Sequence, residues 1–385
     1  MARQNSFDFI RLCAALGVLI GHQFIISGTG PAWGITNQNI SEIPLHVFFS
    51  LSGFLIYESL QRSNDLASFV AARVTRIWPT LIGALVLASG FTLFYFQNYD
   101  HLIDHIKYVY RNAFFMFRVL SDQIPGIFEV NQTPRVNSPL WTLAYEVWLY
   151  FSLYLVFRLP RSARIWAIVT ALIVLNICWV SFEVNEAMIP LTPLFPMRLG
   201  RLGCFFFAGA LVAAIWPAIR ERAVPVGAAG LCALIVFEVI APATAATALA
   251  LALAVAGLGS AALFSLFSRG GDASYGVYVF AWPIQQTYQT IFPGFWLGLS
   301  LSLITTAALG YVTWHLYEKR CISHRRAVAG LLSSLWRRGQ TKARPDPAVA
   351  IVGRINGADR RIDPDLIANA PAPGIAVLDA MREKL

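Results

Sequence analysis

The chain has 385 residues, of which 57% are hydrophobic and 13% charged, and its mean hydropathy is +0.58. A soluble chain carries about 25% charged residues, so a water-soluble globular fold is excluded and an all-α, polytopic membrane bundle is expected. The net charge of +9 accompanies no nucleic-acid motif, and the five scattered cysteines, with no CxxC, indicate neither a disulfide framework nor a metal site.

A membrane crossing needs about 20 mostly apolar residues. Ten are predicted, at 7–27, 44–61, 78–96, 139–157, 164–181, 196–216, 224–240, 243–267, 273–292 and 295–317. The first has neither a strong basic region nor a small-residue cleavage site, so it reads as a retained helix rather than a signal peptide. It holds Arg11 and His22, eleven residues apart. Eleven steps of about 100° come within about 20° of three full turns, so both side chains share one face, about 16 Å apart along the axis. Asp8 lies one turn before Arg11 and can pair with it. Such a stripe is costly against lipid and belongs in the bundle interior or a wet cavity. A snorkelling arginine and a histidine at the headgroups is the other reading.

The second crossing, "LHVFFSLSGFLIYESL", has Ser52 and Gly53 for close helix contact. His46, near its outer end, is expected at the interface. Before the third come Arg73 and Arg76, three apart and so on one helical face. They suit a phosphorylated ligand, because guanidinium matches phosphate by paired hydrogen bonds. Positive-inside anchoring is the alternative. The fourth, "SPLWTLAYEVWLYF", buries Glu146 among aromatic residues. A carboxylate at that depth needs a cationic or hydrogen-bonding partner. Glu58 and Glu238 lie nearer the interfaces. In the ninth, "ASYGVYVFAWPIQQTY", Pro283 is expected to break the helix beside Gln285 and Gln286.

Arginines in short loops give the orientation. Arg62, Arg73, Arg76, Arg158, Arg161, Arg164, Arg220, Arg222 and Arg269, with Lys319, Arg320, Arg325 and Arg326 after the tenth span, all fall on one side if both termini are cytoplasmic. Loops 28–43 and 182–195 contain no Lys or Arg. Two groups depart from this. Loop 97–138 carries Lys107, Arg111, Arg118 and Arg135 but is long enough for the rule to weaken, and Arg198 and Arg201 sit near the outer end of span six, as topology noise or facing an acceptor. Residues 1–320 form the expected membrane domain. Residues 321–385 form a cytoplasmic tail, largely disordered from about 340, where Ala, Pro, Arg and Asp replace apolar periodicity.

In order, the Arg11–His22 helix, "FFSLSGFLI", the Arg73–Arg76 pair, "SPLWTLAYEVWLYF", "SYGVYVFAWP" and a terminal "YEK" resemble the membrane-bound acyltransferase-3 family of bacterial glycan O-acyltransferases. The resemblance covers about residues 5–320. It departs at Ala281, where many relatives have His, and at Arg320, which follows "YEK" where Pro is common. The resemblance implies a bacterial inner-membrane enzyme. Its donor would be cytoplasmic acyl-CoA, acetyl-CoA above all, and its acceptor a hydroxyl of a glycan or lipid-linked sugar, with no metal. Arg73 and Arg76 would meet the CoA phosphates. His22 would act as general base or as a covalent acyl carrier, Arg11 would position the donor or steady charge on the thioester oxygen, and Glu146 joins the catalytic set. The competing reading is a transporter or flippase using the same intramembrane polar groups.

Overall fold

In a computed structural model, the structure describes residues 6–29, 42–63, 65–114, 121–181, 195–240, 244–261, 264 and 271–342. The helices are α1 (Phe7–Ser27), α2 (Glu42–Arg62), α3 (Leu66–Tyr95), α4 (Leu102–Ala113), α5 (Trp141–Arg158), α6 (Arg161–Ser181), α7 (Pro196–Ile219), α8 (Ala223–Ile240), α9 (Ala245–Ser260), α10 (Ser274–Ile291), α11 (Phe295–Thr313), α12 (Lys319–Ser323) and α13 (Arg325–Lys342). No strand occurs among the described residues. Each of the ten predicted crossings falls on a helix. Among the described residues, seven stretches are long and apolar enough to cross a membrane: Phe7–Ser27, Glu42–Arg62, Leu66–Tyr95, Ser138–Arg158, Arg161–Ser181, Pro196–Phe237 and Phe295–Ser323. Pro196–Phe237, at 42 residues, is about twice one crossing and holds both α7 and α8. The protein is an all-α polytopic membrane bundle.

Several local expectations change. Helix α3 starts at Leu66 rather than 78, because Asp65 caps it by accepting from Ser68 N at 2.7 Å. Arg73 and Arg76 therefore stand inside the helix. Loop 97–138 contains α4, whose outward side carries Leu102, Ile103, Ile106 and Tyr110. Pro283 does not break α10. A proline removes the N–H that would bond the carbonyl four residues earlier, and here Asn137 Nδ2 donates to that carbonyl, Val279 O, at 3.0 Å. His46 is not interfacial: it is buried in the bundle and stacks on Phe205, with ring centroids 3.9 Å apart. Ala281 is buried with Leu19 and Leu299, so an apolar contact occupies that position, and Gln285, one turn on, donates to Leu19 O and Gln23 Oε1, both at 2.9 Å. The start of the expected tail is helical in α13. The chain divides at Gly330 into residues 1–330 and 331–385. Residues 343–385, loop 30–41, Glu238's side chain, Arg118 and Arg269 lie outside the described residues.

Helix α7 is the centre of the bundle and packs against α2, α6 and α9. Lipid removes most of the hydrophobic drive between helices, so close packing through small residues takes over. A Cβ on Gly53 would collide with the Phe206 carbonyl, and one on Gly209 with the Ser50 carbonyl. The α2 and α7 backbones therefore touch. Gly209→Leu is expected to abolish recovery of folded protein. Gly90→Ala in α3, where nothing lies within 4 Å, is expected to be neutral or to stabilise by up to about 1 kcal/mol. Thermal unfolding in detergent checks both, and equal tolerance at the two glycines would refute the contact.

Candidate active site

The apolar sequence of α1 carries Arg11 and His22 into different chambers. Arg11 lies near its start, where Nη1 donates to Asp8 Oδ1 at 3.1 Å and to Asp272 Oδ2 at 2.9 Å. Asp272 sits just before α10 and is buried. It also accepts from Arg76 Nη2 at 2.5 Å and from the hydroxyl of Ser274. Burial pushes its carboxyl up, but the guanidiniums of Arg76 and Arg11 outweigh that and hold it at about 2. Arg76 further faces Glu318 at 3.6 Å, on the π-helical turn Trp314–Glu318. One carboxylate thus ties α1 and α3 to the start of α10.

Arg73, one turn before Arg76, is differently placed. Its Nη2 donates to Ser59 Oγ at 3.3 Å, and its guanidinium lies 5.5 Å from the ring centroids of both Phe69 and Tyr150. Its Nε is buried and has no hydrogen-bond partner among the described residues. Glu146 on α5 accepts from the hydroxyl of Tyr150 and, at 3.5 Å, from Ser52 Oγ. The hydrogen-bond partners of this half-buried carboxylate are therefore hydroxyls among the described residues.

Arg11, Arg73, Arg76 and Glu146 line one cleft of about 810 Å³, open mouth included, with Ser52, Tyr150, Tyr275 and Tyr278. His22 is not in it. His22 lines a second chamber of about 940 Å³, measured the same way, with Glu42, Arg135, Ser138, Trp141, Arg201 and Trp282. Its ring stands edge-on to Trp282 at 5.0 Å, and Nδ1 is buried without a partner among the described residues. Leu45, Thr142 and Tyr278 line both spaces and so form the wall between them. The wall is tied shut: Tyr278 donates to Pro139 O at 2.8 Å, and its hydroxyl lies 2.6 Å from Thr142 Oγ1.

The roof of the second chamber is strapped to α10. Trp282 Nε1 donates to Arg135 O at 2.8 Å, and Gln286 Nε2 donates to Thr133 O at 2.5 Å and Arg135 O at 2.8 Å. At its mouth Arg201 Nη1 pairs with Glu42 at 3.0 Å, and the Arg198 guanidinium stacks on Trp141 at 5.1 Å.

Sequence reasoning had singled out Arg11, Arg73, Arg76, Glu146 and His22. It missed Asp272, the Tyr278–Thr142 wall and the Glu42–Arg201 pair. Arg198 and Arg201 stand out in the sequence as arginines on the arginine-poor side, as topology noise or facing an acceptor, and the structure places Arg201 in the second chamber.

The acyltransferase-3 family, described as an acyltransferase domain, matches residues 4–315. An O-acetyl transferase of Shigella phage Sf6 is 27% identical over 346 residues, covering 84% of this chain and 97% of the relative. Nodulation protein 10 of Rhizobium leguminosarum bv. viciae is 27% identical over 366 residues, covering 84% of this chain and 95% of that protein. No solved structure matches. A match running through both chambers and every helix that lines them fixes the identity: the chain belongs to the acyltransferase-3 family and is a multi-pass membrane O-acyltransferase.

Proposed function

We propose that this enzyme moves an acyl group, acetyl first of all, from cytoplasmic acyl-CoA to a hydroxyl of a glycan or lipid-linked sugar at the bacterial inner membrane, with both termini cytoplasmic. The observation that carries this reading is the pair of polar chambers, separated by one thin wall, with Arg73 in the first and His22 in the second. The loop arginines support the orientation, which puts the Arg73 cleft on the donor side.

The separation assigns roles. Arg11 and His22 are about 16 Å apart along α1, too far to touch one carbonyl. Arg11 therefore positions the donor rather than steadying the thioester oxygen beside His22. Glu146 stays in the donor cleft and holds Tyr150 against Arg73. The long flexible arm between the phosphates of CoA and its thioester suits this spacing, with the phosphates on Arg73 and the thioester at the Tyr278 wall. There His22 takes the acceptor's hydroxyl proton. The acceptor oxygen attacks the thioester carbonyl, the C–O bond forms, and the C–S bond breaks. The thiolate leaves and takes the proton from His22, giving free CoA and the ester.

Purified protein in nanodiscs, given labelled acetyl-CoA and a glycan acceptor, tests the reading through release of free CoA. A transporter releases none. Hydrogen bonds to charged groups are worth about 1.5–3 kcal/mol, so replacing Arg73 and Arg76 together by Ala is expected to weaken acetyl-CoA binding by roughly tenfold or more. Arg73→Ala alone should give most of that loss, because Arg76 is already engaged by Asp272 and Glu318. Arg73→Lys keeps the charge but loses the fork and should rescue only in part. Unchanged donor affinity would remove both arginines from donor binding, leaving Arg76 as the partner of Asp272.

A further inference from the structure

The chamber around His22 has features that acyl transfer alone does not require. Trp141 and Trp282 give it flat apolar walls, Glu42, Ser138, Arg135 and Arg201 give it polar ones, and the strap of residues 131–137 fixes its roof on α10. Among the described residues, two guanidiniums line it against one carboxylate, Glu42. The carboxylate that Arg135 pairs with at 3.3 Å, Asp122, is not among the lining residues. Arg201 Nε is buried without a hydrogen-bond partner among the described residues, although Nη1 is paired. Arg198 adds a further positive charge behind Trp141. On the proposed orientation these arginines stand on the side where membrane proteins carry few, so topology does not account for them.

Resting on the acyltransferase reading, we propose that the acceptor is an anionic saccharide: a sugar ring bearing a carboxylate or phosphoryl group, with the ring on Trp282 and the oxyanion on Arg201 and Arg135. Arginine matches either oxyanion with two parallel hydrogen bonds. Glu42 holds Arg201 in place while the chamber is empty and gives it up to the acceptor. The hydroxyl that receives the acyl group is then held toward His22 by the sugar's other end.

The test is binding of three small probes to the full chain in nanodiscs: methyl glucoside, methyl glucuronide and glucose 1-phosphate, followed by tryptophan fluorescence and calorimetry. At low salt at least one charged probe is expected to bind about tenfold or more tightly than the neutral one, and the order of the two charged probes identifies the oxyanion. About 0.5 M salt should narrow the gap, since the Debye length falls well below 10 Å there. Arg201→Gln should erase the charge preference. Glu42→Gln separates recognition from mere structure: it breaks the same ion pair but removes a repelling charge, so it should tighten binding of the charged probes, whereas a purely structural pair predicts weakening. Equal affinity for neutral and charged probes overturns the proposal. So does a preference that survives Arg201→Gln, or no binding of any probe at several millimolar. Acetyl-CoA binding by the wild type is measured alongside. Its absence counts against the donor reading and leaves the probe result standing by itself.

Discussion

Replacing His22 with Gln lowers acetyl transfer by at least about 100-fold, the lower bound of the 100- to 10,000-fold that general-base catalysis supplies, while acetyl-CoA still binds. Gln keeps polarity and hydrogen bonding at this position but cannot accept a proton near neutral pH. The Arg73 cleft, the proposed donor site, lies beyond the Leu45–Thr142–Tyr278 wall and contains none of the atoms changed. The measurement is steady-state CoA release with acceptor present, set beside equilibrium acetyl-CoA binding. A loss below roughly tenfold removes His22 from proton transfer. Loss of donor binding in the same variant would instead mean that the chambers are not independent.

Asp272→Asn costs roughly 3–5 kcal/mol of stability, the range for removing one partner of a buried ion pair. Asn fills the same space, so the effect isolates charge. Two guanidiniums on different helices, Arg11 and Arg76, lose their shared counter-ion at once. Asp8→Asn is the comparison: Asp8 is 29% exposed and, among the described residues, its ion pair is with Arg11 alone, so its loss should cost about 1 kcal/mol or less. Thermal unfolding of the two variants in the same detergent reads the order directly, and equal midpoints refute the clamp. Because the folded carboxyl is held at about 2, below its unfolded value, its stabilisation is present above the unfolded pKa and is lost only as pH falls toward 2. Acidifying to pH 5 therefore does not reproduce the substitution.

The helical bundle was legible because its signal is local. Twenty apolar residues in a row mean a crossing wherever they occur, and the 3.6-residue period alone puts Arg11 and His22 on one face. The same period says which residues share a face but not what faces them. Asp272 stands 196 residues from Arg76 in sequence, and only the folded bundle brings them together. The single cue was an acidic residue beside "ASYGVY" in a chain with few acids in its spans. The failure of Pro283 to break α10 has the same origin, since the rescuing donor, Asn137, lies 142 residues from the carbonyl it satisfies, Val279 O. His46 was misplaced because depth in a helix was taken for distance from water, whereas α7 covers it with Phe205. The division of the site was not legible either. A shared helical face suggested one continuous path, and the residues that interrupt it, Thr142 and Tyr278, come from α5 and α10.

That interruption bears on the cell's energy supply. On the proposed orientation the two polar hollows open toward opposite faces of a charged membrane, and such an enzyme is a short step from being a pore. With Tyr278 bonded to Thr142 and Pro139, and Leu45 beside them, the two hollows do not merge. Protons driven by the membrane potential meet an apolar and hydrogen-bond-saturated plug rather than a wire of water. On the proposed mechanism only a group as small as an acyl chain need pass it in each cycle, and the bulky, charged remainder of the donor stays behind. On that reading the bonds that hold the wall closed are electrical insulation: they let chemistry cross the bilayer without discharging it.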